Sequence, residues 1–209
     1  MSHFFRIIGG FFLCVVFIAG EAMPADSQDN LVRAKIGIMI KSKDRVIRAK
    51  KTERIQSGDQ IRIYALPEKS SSVYIIHSDT KTATLLNNED QRVANVVLTL
   101  PAPQNFYEID GQSSTEIITV VCSPEESREL TALFKSGQVP HPAWAPLEKD
   151  LLGKSRIDLT GKAEKPFSIA GTVRGGAAAA DPFIEKLQTI SGNTLVVRQY
   201  EFRVKKSKK

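Results

Sequence analysis

Between residues 36 and 122 the chain repeats one device: a run of β-branched or aliphatic residues, then a cluster of turn formers, with no amphipathic helix between them. The runs are Ile36–Ile40, Val46–Ala49, the GDQIRIYALP stretch, Val73–His77, Ala83–Leu86, Val93–Leu100 and Glu116–Cys122. In GDQIRIYALP the alternation is explicit, with Ile61 and Ile63 on one face and Arg62 and Tyr64 on the other. Ser57-Gly58-Asp59, Glu68–Ser72, Asn87–Asp90, Pro101–Pro103 and Asp110-Gly111 punctuate the runs. Parallel sheets need long crossovers between successive strands, and none is present here. The order therefore predicts a mainly β fold, an antiparallel β-sandwich or partly open barrel with two or three short helices.

The helices belong to the second half. Cys122 is followed by SPEESRELTALF, which predicts a helix capped by Ser123. Pro124 takes its first position, Glu125 and Glu126 sit at the positive end of its dipole, and Leu130, Leu133 and Phe134 share one face. Gly137 stops it. The prolines of VPHPAWAP predict an irregular stretch before a short helix through Leu151. Beyond lie a strand at Phe167–Val173, a flexible Gly175–Ala180 segment, and a helix Phe183–Ile190 capped by Asp181 and ended by Gly192. A last strand, Leu195–Val204, alternates Tyr200, Phe202 and Val204 with Glu201 and Arg203. The expected organisation is a signal segment over 1–25, a β-rich domain over 31–137, and an extension over 138–209 that packs on it and ends in a basic tail.

Residues 1–25 read as a cleavable secretory signal: Arg6, the apolar run Ile7–Gly20, then small residues at Ala22 and Ala25. The run falls short of the roughly 20 apolar residues that span a bilayer, and Cys14 follows bulky Leu13, which is no lipoprotein site. The expected location is periplasmic or secreted, with no integral membrane span after cleavage. Cys122 is then the single remaining thiol, so the fold rests on burial rather than on an internal disulfide.

The formal net charge of +6 is unevenly spread. Nine basic residues between Arg33 and Arg54 face only Asp44 and Glu53, and a second cluster occupies Arg203, Lys205, Lys206, Lys208 and Lys209. Lys41, Lys43, Arg45, Arg48, Lys50, Lys51 and Arg54 form the candidate binding face. For an exported chain the expected partner is an envelope protein or an anionic envelope surface, not nucleic acid.

Chemistry is sparse. A thiol before a helix N-terminus can be activated, which makes Cys122 with His77 or His141 the alternative catalytic set of an exported cysteine hydrolase. Glu125 and Glu126 oppose thiolate formation there, and a cysteine at a strand end packs as a small hydrophobe. Two histidines and one cysteine without close spacing predict no metal site. GTVRGG lacks the lysine and spacing of a phosphate loop, and no cofactor is expected. Glu108 and Asp110, two apart, read as solvated carboxylates, and Trp144 as a packing residue.

The segment from Gly58 to Phe134, with GDQIRI, VYII, the LL before a polar turn, LTLP, the DG before TEIITVV, and CSPEE leading into EL and LF, resembles the bacterial domain of unknown function 4384. The resemblance implies a small β-rich module found alone or attached to secreted and signalling proteins, with no enzymatic activity established for it and no catalytic residues to carry over. Asn87-Asn88 stands where the family pattern would place a proline beside an asparagine. The function expected on both grounds is a non-enzymatic exported β-sandwich that binds or scaffolds.

Overall fold

The computed structural model describes residues 31–43, 45–87, 91–155 and 181–206. The expected signal segment, the strand over 167–173 and the stretch over 175–180 lie outside them.

In chain order the strands are β1 (Val32–Ser42), β2 (Arg45–Arg48), β3 (Thr52–Gln56), β4 (Gln60–Pro67), β5 (Ser71–Ser78), β6 (Thr82–Leu85), β7 (Gln91–Val93), β8 (Leu98–Leu100), β9 (Tyr107–Glu108) and β10 (Thr115–Ser123). There follow helix α1 (Arg128–Leu133), strand β11 (Gln138–Pro140), helix α2 (His141–Lys154), a 3₁₀ turn (Pro182–Lys186), and strands β12 (Gln188–Gly192) and β13 (Val196–Lys205). Two sheets result. The first runs β12-β1-β4-β8, with β2 sharing the β12 side of β1 and β9 sharing the β8 side of β4. The second runs β11-β6-β5-β10-β13-β3, with β7 beside β5. The fold is a β-sandwich with short helices, antiparallel throughout except for the parallel pair β3–β13.

Alternation decides the layers. Ala34, Ile36, Ile38 and Ile40 of β1 and Ile61, Ile63 and Ala65 of β4 meet Val73 and Ile75 of β5, Ile118, Val120 and Cys122 of β10, and Tyr200 and Phe202 of β13 in the central core. The opposite face of the second sheet is apolar too, through Tyr74, Ile76, Val121 and Val197, and the helices cover it with Leu130, Phe134, Trp144 and Leu151. Trp144 meets Phe134 edge-on at 5.5 Å, so the single tryptophan is a packing residue. On the outer face of the first sheet the 3₁₀ turn seats Phe183 and Leu187 over Met39 and Tyr64.

Several expectations need correction. Val93–Leu100 is not one strand: it breaks after Val93, so β7 joins the second sheet and β8 the first, and Asn95 at φ 53° turns the chain between them. The helix after Cys122 begins four residues later than Ser123 suggests. Strand pairing with Ser72 holds Ser123 in β10, and Ser127 is the cap, its Oγ accepting from the Leu130 N–H while its own N–H donates to the Tyr74 hydroxyl. The proline-rich stretch is ordered, with Pro140 as the α2 cap, Pro142 in the first turn and Pro146 inside the helix. Phe183–Ile190 is only a 3₁₀ turn, capped by Asp181 as expected. Ile190 lies in β12, and Gly192 ends a strand rather than a helix. Strand β3 was unforeseen. The 138–209 portion does more than pack on the rest: β13 is inserted between β10 and β3, and β12 extends the first sheet.

Candidate functional site: a basic strand edge and an acidic cleft

The basic face is assembled by two strand edges. β1 turns at Lys43, in the left-handed region at φ 47°, and returns as β2 along Met39–Ser42. The chain then leaves the first sheet and joins the second as β3, with only Ala49–Lys51 between the strands. Three residues span roughly 10 Å, which is the spacing of stacked sheets, so β2 and β3 lie on one side of the sandwich. Buried Ala49, its N–H donating to the Ile38 carbonyl at 2.8 Å, pins the crossing. Parallel pairing sets Arg54 of β3 opposite Arg203 of β13. The second basic cluster therefore does not form a tail over its described part: Arg203 and Lys205 belong to β13 and extend the same charged side.

All seven candidate residues, Lys41, Lys43, Arg45, Arg48, Lys50, Lys51 and Arg54, are exposed. Two are fastened: Lys41 lies over the Phe106 ring at 5.3 Å, and Arg48 donates to the Lys186 carbonyl at 3.0 Å. No carboxylate among the described residues forms an ion pair with the side chain of Lys43, Arg45, Lys50, Lys51 or Arg54. β2 adds an unusual feature, since Val46 is 49% and Ile47 38% exposed on a strand whose one partner among the described residues is β1.

The candidate thiol set is not brought together. Cys122 is fully buried in the central core, between Val73 and Val196, and burial pushes its thiol up to about 12. His77 pairs in register with Ile118, four residues down β10 and so roughly 13 Å along the strand. His141 opens α2, in the layer on the other side of that sheet.

His77 instead engages Glu116, Nε2 to Oε2, at one end of the sandwich. The pair lines a cleft of about 150 Å³ whose other walls are Ile61, Leu86, Tyr107, Glu108, Ile109, Asp110 and Ile118. The Glu116 side chain is only 10% exposed, and no hydrogen bond to its Oε1 is made among the described residues. Burial raises the Tyr107 phenol above its ordinary range. Next to the cleft, burial would raise the Asp79 carboxyl. The N–H groups of Thr82 and Lys81 outweigh that and hold it below the usual range, with the charge of His77 adding to them. Glu108 and Asp110, expected to be solvated carboxylates, are exposed but stand at this rim. The Asp110-Gly111 turn fixes them: Gly111 has φ +73°, and a Cβ there would lie 2.8 Å from Ser57 Cβ. Sequence reasoning missed the cleft because β5, β9 and β10 supply it from distant positions. Its one sequence signal is Glu116, a charge at a core-facing position of an aliphatic strand.

Among the described residues, no group of three or more His, Cys, Asp or Glu could hold a metal ion, and no helix is long and apolar enough to cross a membrane. Comparison of the chain with family models, with curated proteins and with solved structures returned no match in any of the three.

Proposed function

We propose that this chain is a non-enzymatic binding module of the bacterial cell envelope. In this reading its basic side takes up an acidic, extended segment of a partner protein as an added strand along β2. The observation that carries it is the composition of that edge. An edge bearing charged side chains without exposed aliphatics is one protected from unwanted pairing. Here Arg45 and Arg48 flank two exposed aliphatics, and a partner strand would cover Val46 and Ile47 while its carboxylates met Lys43, Arg45, Lys50 and Lys51. Main-chain pairing supplies affinity, and the charges supply selection and encounter rate. The export signal read from residues 1–25 and the resemblance of the 58–134 segment to the domain of unknown function 4384 support the same reading.

The test is binding of a labelled peptide alternating glutamate and valine, followed by fluorescence anisotropy. Affinity should fall about tenfold or more between roughly 0.05 and 0.5 M salt, because the charges sit at the surface and are screened. The double variant Arg45→Glu, Arg48→Glu should abolish it, and Ile47→Asp should weaken it while leaving the fold intact. Equal binding of a lysine–valine peptide would refute the edge as the site. Binding to vesicles containing anionic phospholipid, with no binding of the acidic peptide, would replace the protein partner with a membrane surface.

A further inference from the structure

The cleft at the His77–Glu116 end is a second site, separate from the basic side, and its chemistry is opposite in sign. In a chain of net charge +6, the nine residues that line it include three carboxylates, Glu108, Asp110 and Glu116, and neither lysine nor arginine. Its floor is apolar, built by Ile61, Leu86, Ile109 and Ile118 between the two sheets. Glu116 is the telling residue. A carboxylate that is nine-tenths buried on the core face of a strand requires partners, and His77 provides one, through Oε2. Glu116 lines the cleft, its Oε1 has no hydrogen-bond partner among the described residues, and the exposed Glu108 side chain makes no hydrogen bond or ion pair among them either. A cavity of roughly 150 Å³ with aliphatic walls has room for a body the size of benzene.

We infer that the cleft binds a primary ammonium group carried on a short apolar stem. The stem lies against Ile61, Leu86 and Ile118, and the ammonium donates to Glu116 Oε1 with Glu108 and Asp110 around it. An ammonium suits the site better than a neutral donor because three carboxylates with one histidine leave net negative charge in a partly desolvated space. It also suits it better than a guanidinium, whose planar fork needs a bidentate carboxylate, whereas one oxygen of Glu116 is already taken. The same chemistry occurs in a free alkyl- or arylalkylamine and in a lysine side chain of a peptide, so the two sources have to be separated by experiment.

The measurement is a ¹H–¹⁵N NMR titration of the full chain with benzylammonium, with benzyl alcohol as the neutral isostere and Nα-acetyl-lysine amide as the peptide-borne form. Benzylammonium should perturb the amides of His77, Ile109 and Ile118 with a Kd of order 0.1–1 mM, the range expected for so small a ligand. Benzyl alcohol should bind at least about tenfold more weakly, the loss expected when a charged hydrogen bond is removed. Glu116→Gln should lower benzylammonium affinity by a similar factor. Should that variant fail to fold, the exposed pair Glu108→Gln, Asp110→Asn tests the same charge without touching the core. Comparable binding by the lysine derivative assigns a peptide-borne amine, and binding by benzylammonium alone assigns a free amine. Equal affinity for the alcohol and the amine, perturbations confined to β1 and β2, or no perturbation at about 10 mM would each overturn the inference.

Discussion

Single residues fix this sandwich where the backbone allows no alternative. At Gly192, a Cβ would fall 1.9 Å from the Leu195 carbonyl oxygen, which is backbone and cannot turn aside. Gly192→Ala should destabilise by about 1–3 kcal/mol, read as a lowered urea midpoint, because the β12–β13 connection must open to admit the methyl group. Cys122 makes a different kind of prediction. Its thiol stays protonated in the fold to about pH 12 against an ordinary value of 9.0, so the unfolded chain loses that proton first as pH rises. The stability it contributes is complete below pH 9 and declines by about 1.4 kcal/mol per pH unit until the folded value is reached. Between about pH 8 and pH 10.5, Cys122→Ala should therefore lose about 1–2 kcal/mol less stability than the parent chain. A thiol reagent at neutral pH should label the native protein only as fast as it unfolds. Rapid labelling of the folded chain would contradict the packing described for this residue.

Elements are held by a few polar ties laid over apolar contacts. The 3₁₀ turn docks on the first sheet through Phe183 and Leu187, and Asp181 at its start accepts from the Tyr64 hydroxyl and lies 3.5 Å from Arg62. Arg62 is itself buried, stacked 3.9 Å above the Phe106 ring and donating to the Asn105 carbonyl. Asp181→Ala leaves both partners short of an acceptor and should cost about 1–3 kcal/mol, with faster hydrogen exchange confined to Pro182–Gly192 and the facing part of β4. This tie was only half legible. Asp181-Pro182 announces a cap, and Phe183, Ile184, Leu187 and Ile190 follow a helical period, but pairing of Gln188–Gly192 with β1 ends the helix after one 3₁₀ turn. Ser123 failed in a similar way: its capping spacing is sound, yet the ladder with β5 claims it first. β3 was invisible because TERIQ is short and mostly exposed, and its partner lies at the far end of the chain. The alternation read from residues in β4 and β13 agrees with the layers observed, although the Arg62 and Tyr64 face of β4 is buried as well, under the 3₁₀ turn and Phe106.

At the scale of the molecule, charge is sorted in space as it is not in sequence. The cationic face was legible residue by residue, because seven of its members crowd into Lys41–Arg54, but its continuation through Arg203 and Lys205 required the β3–β13 pairing. The acidic cleft left one trace in the sequence, Glu116 on the core-facing side of an aliphatic strand; Glu108, Asp110 and His77 are ordinary singly and converge only when β9 and β10 come to opposite walls. A sandwich that carries both signs should retain acidic and amine-bearing ligands independently. Saturating the cleft with benzylammonium should leave the affinity for the glutamate–valine peptide unchanged within about twofold, since distant sites with no shared residues are additive.

The insertion of β13 between β10 and β3 also dictates when the molecule can exist. Phe202 and Tyr200 complete the central core, and β3 has no neighbour until they arrive. A chain nicked before residue 196 holds an unpaired β10 edge and a central core short of two large aromatics. Closure of the second sheet therefore waits on one strand: until β13 pairs with both β10 and β3, the central core lacks Tyr200 and Phe202.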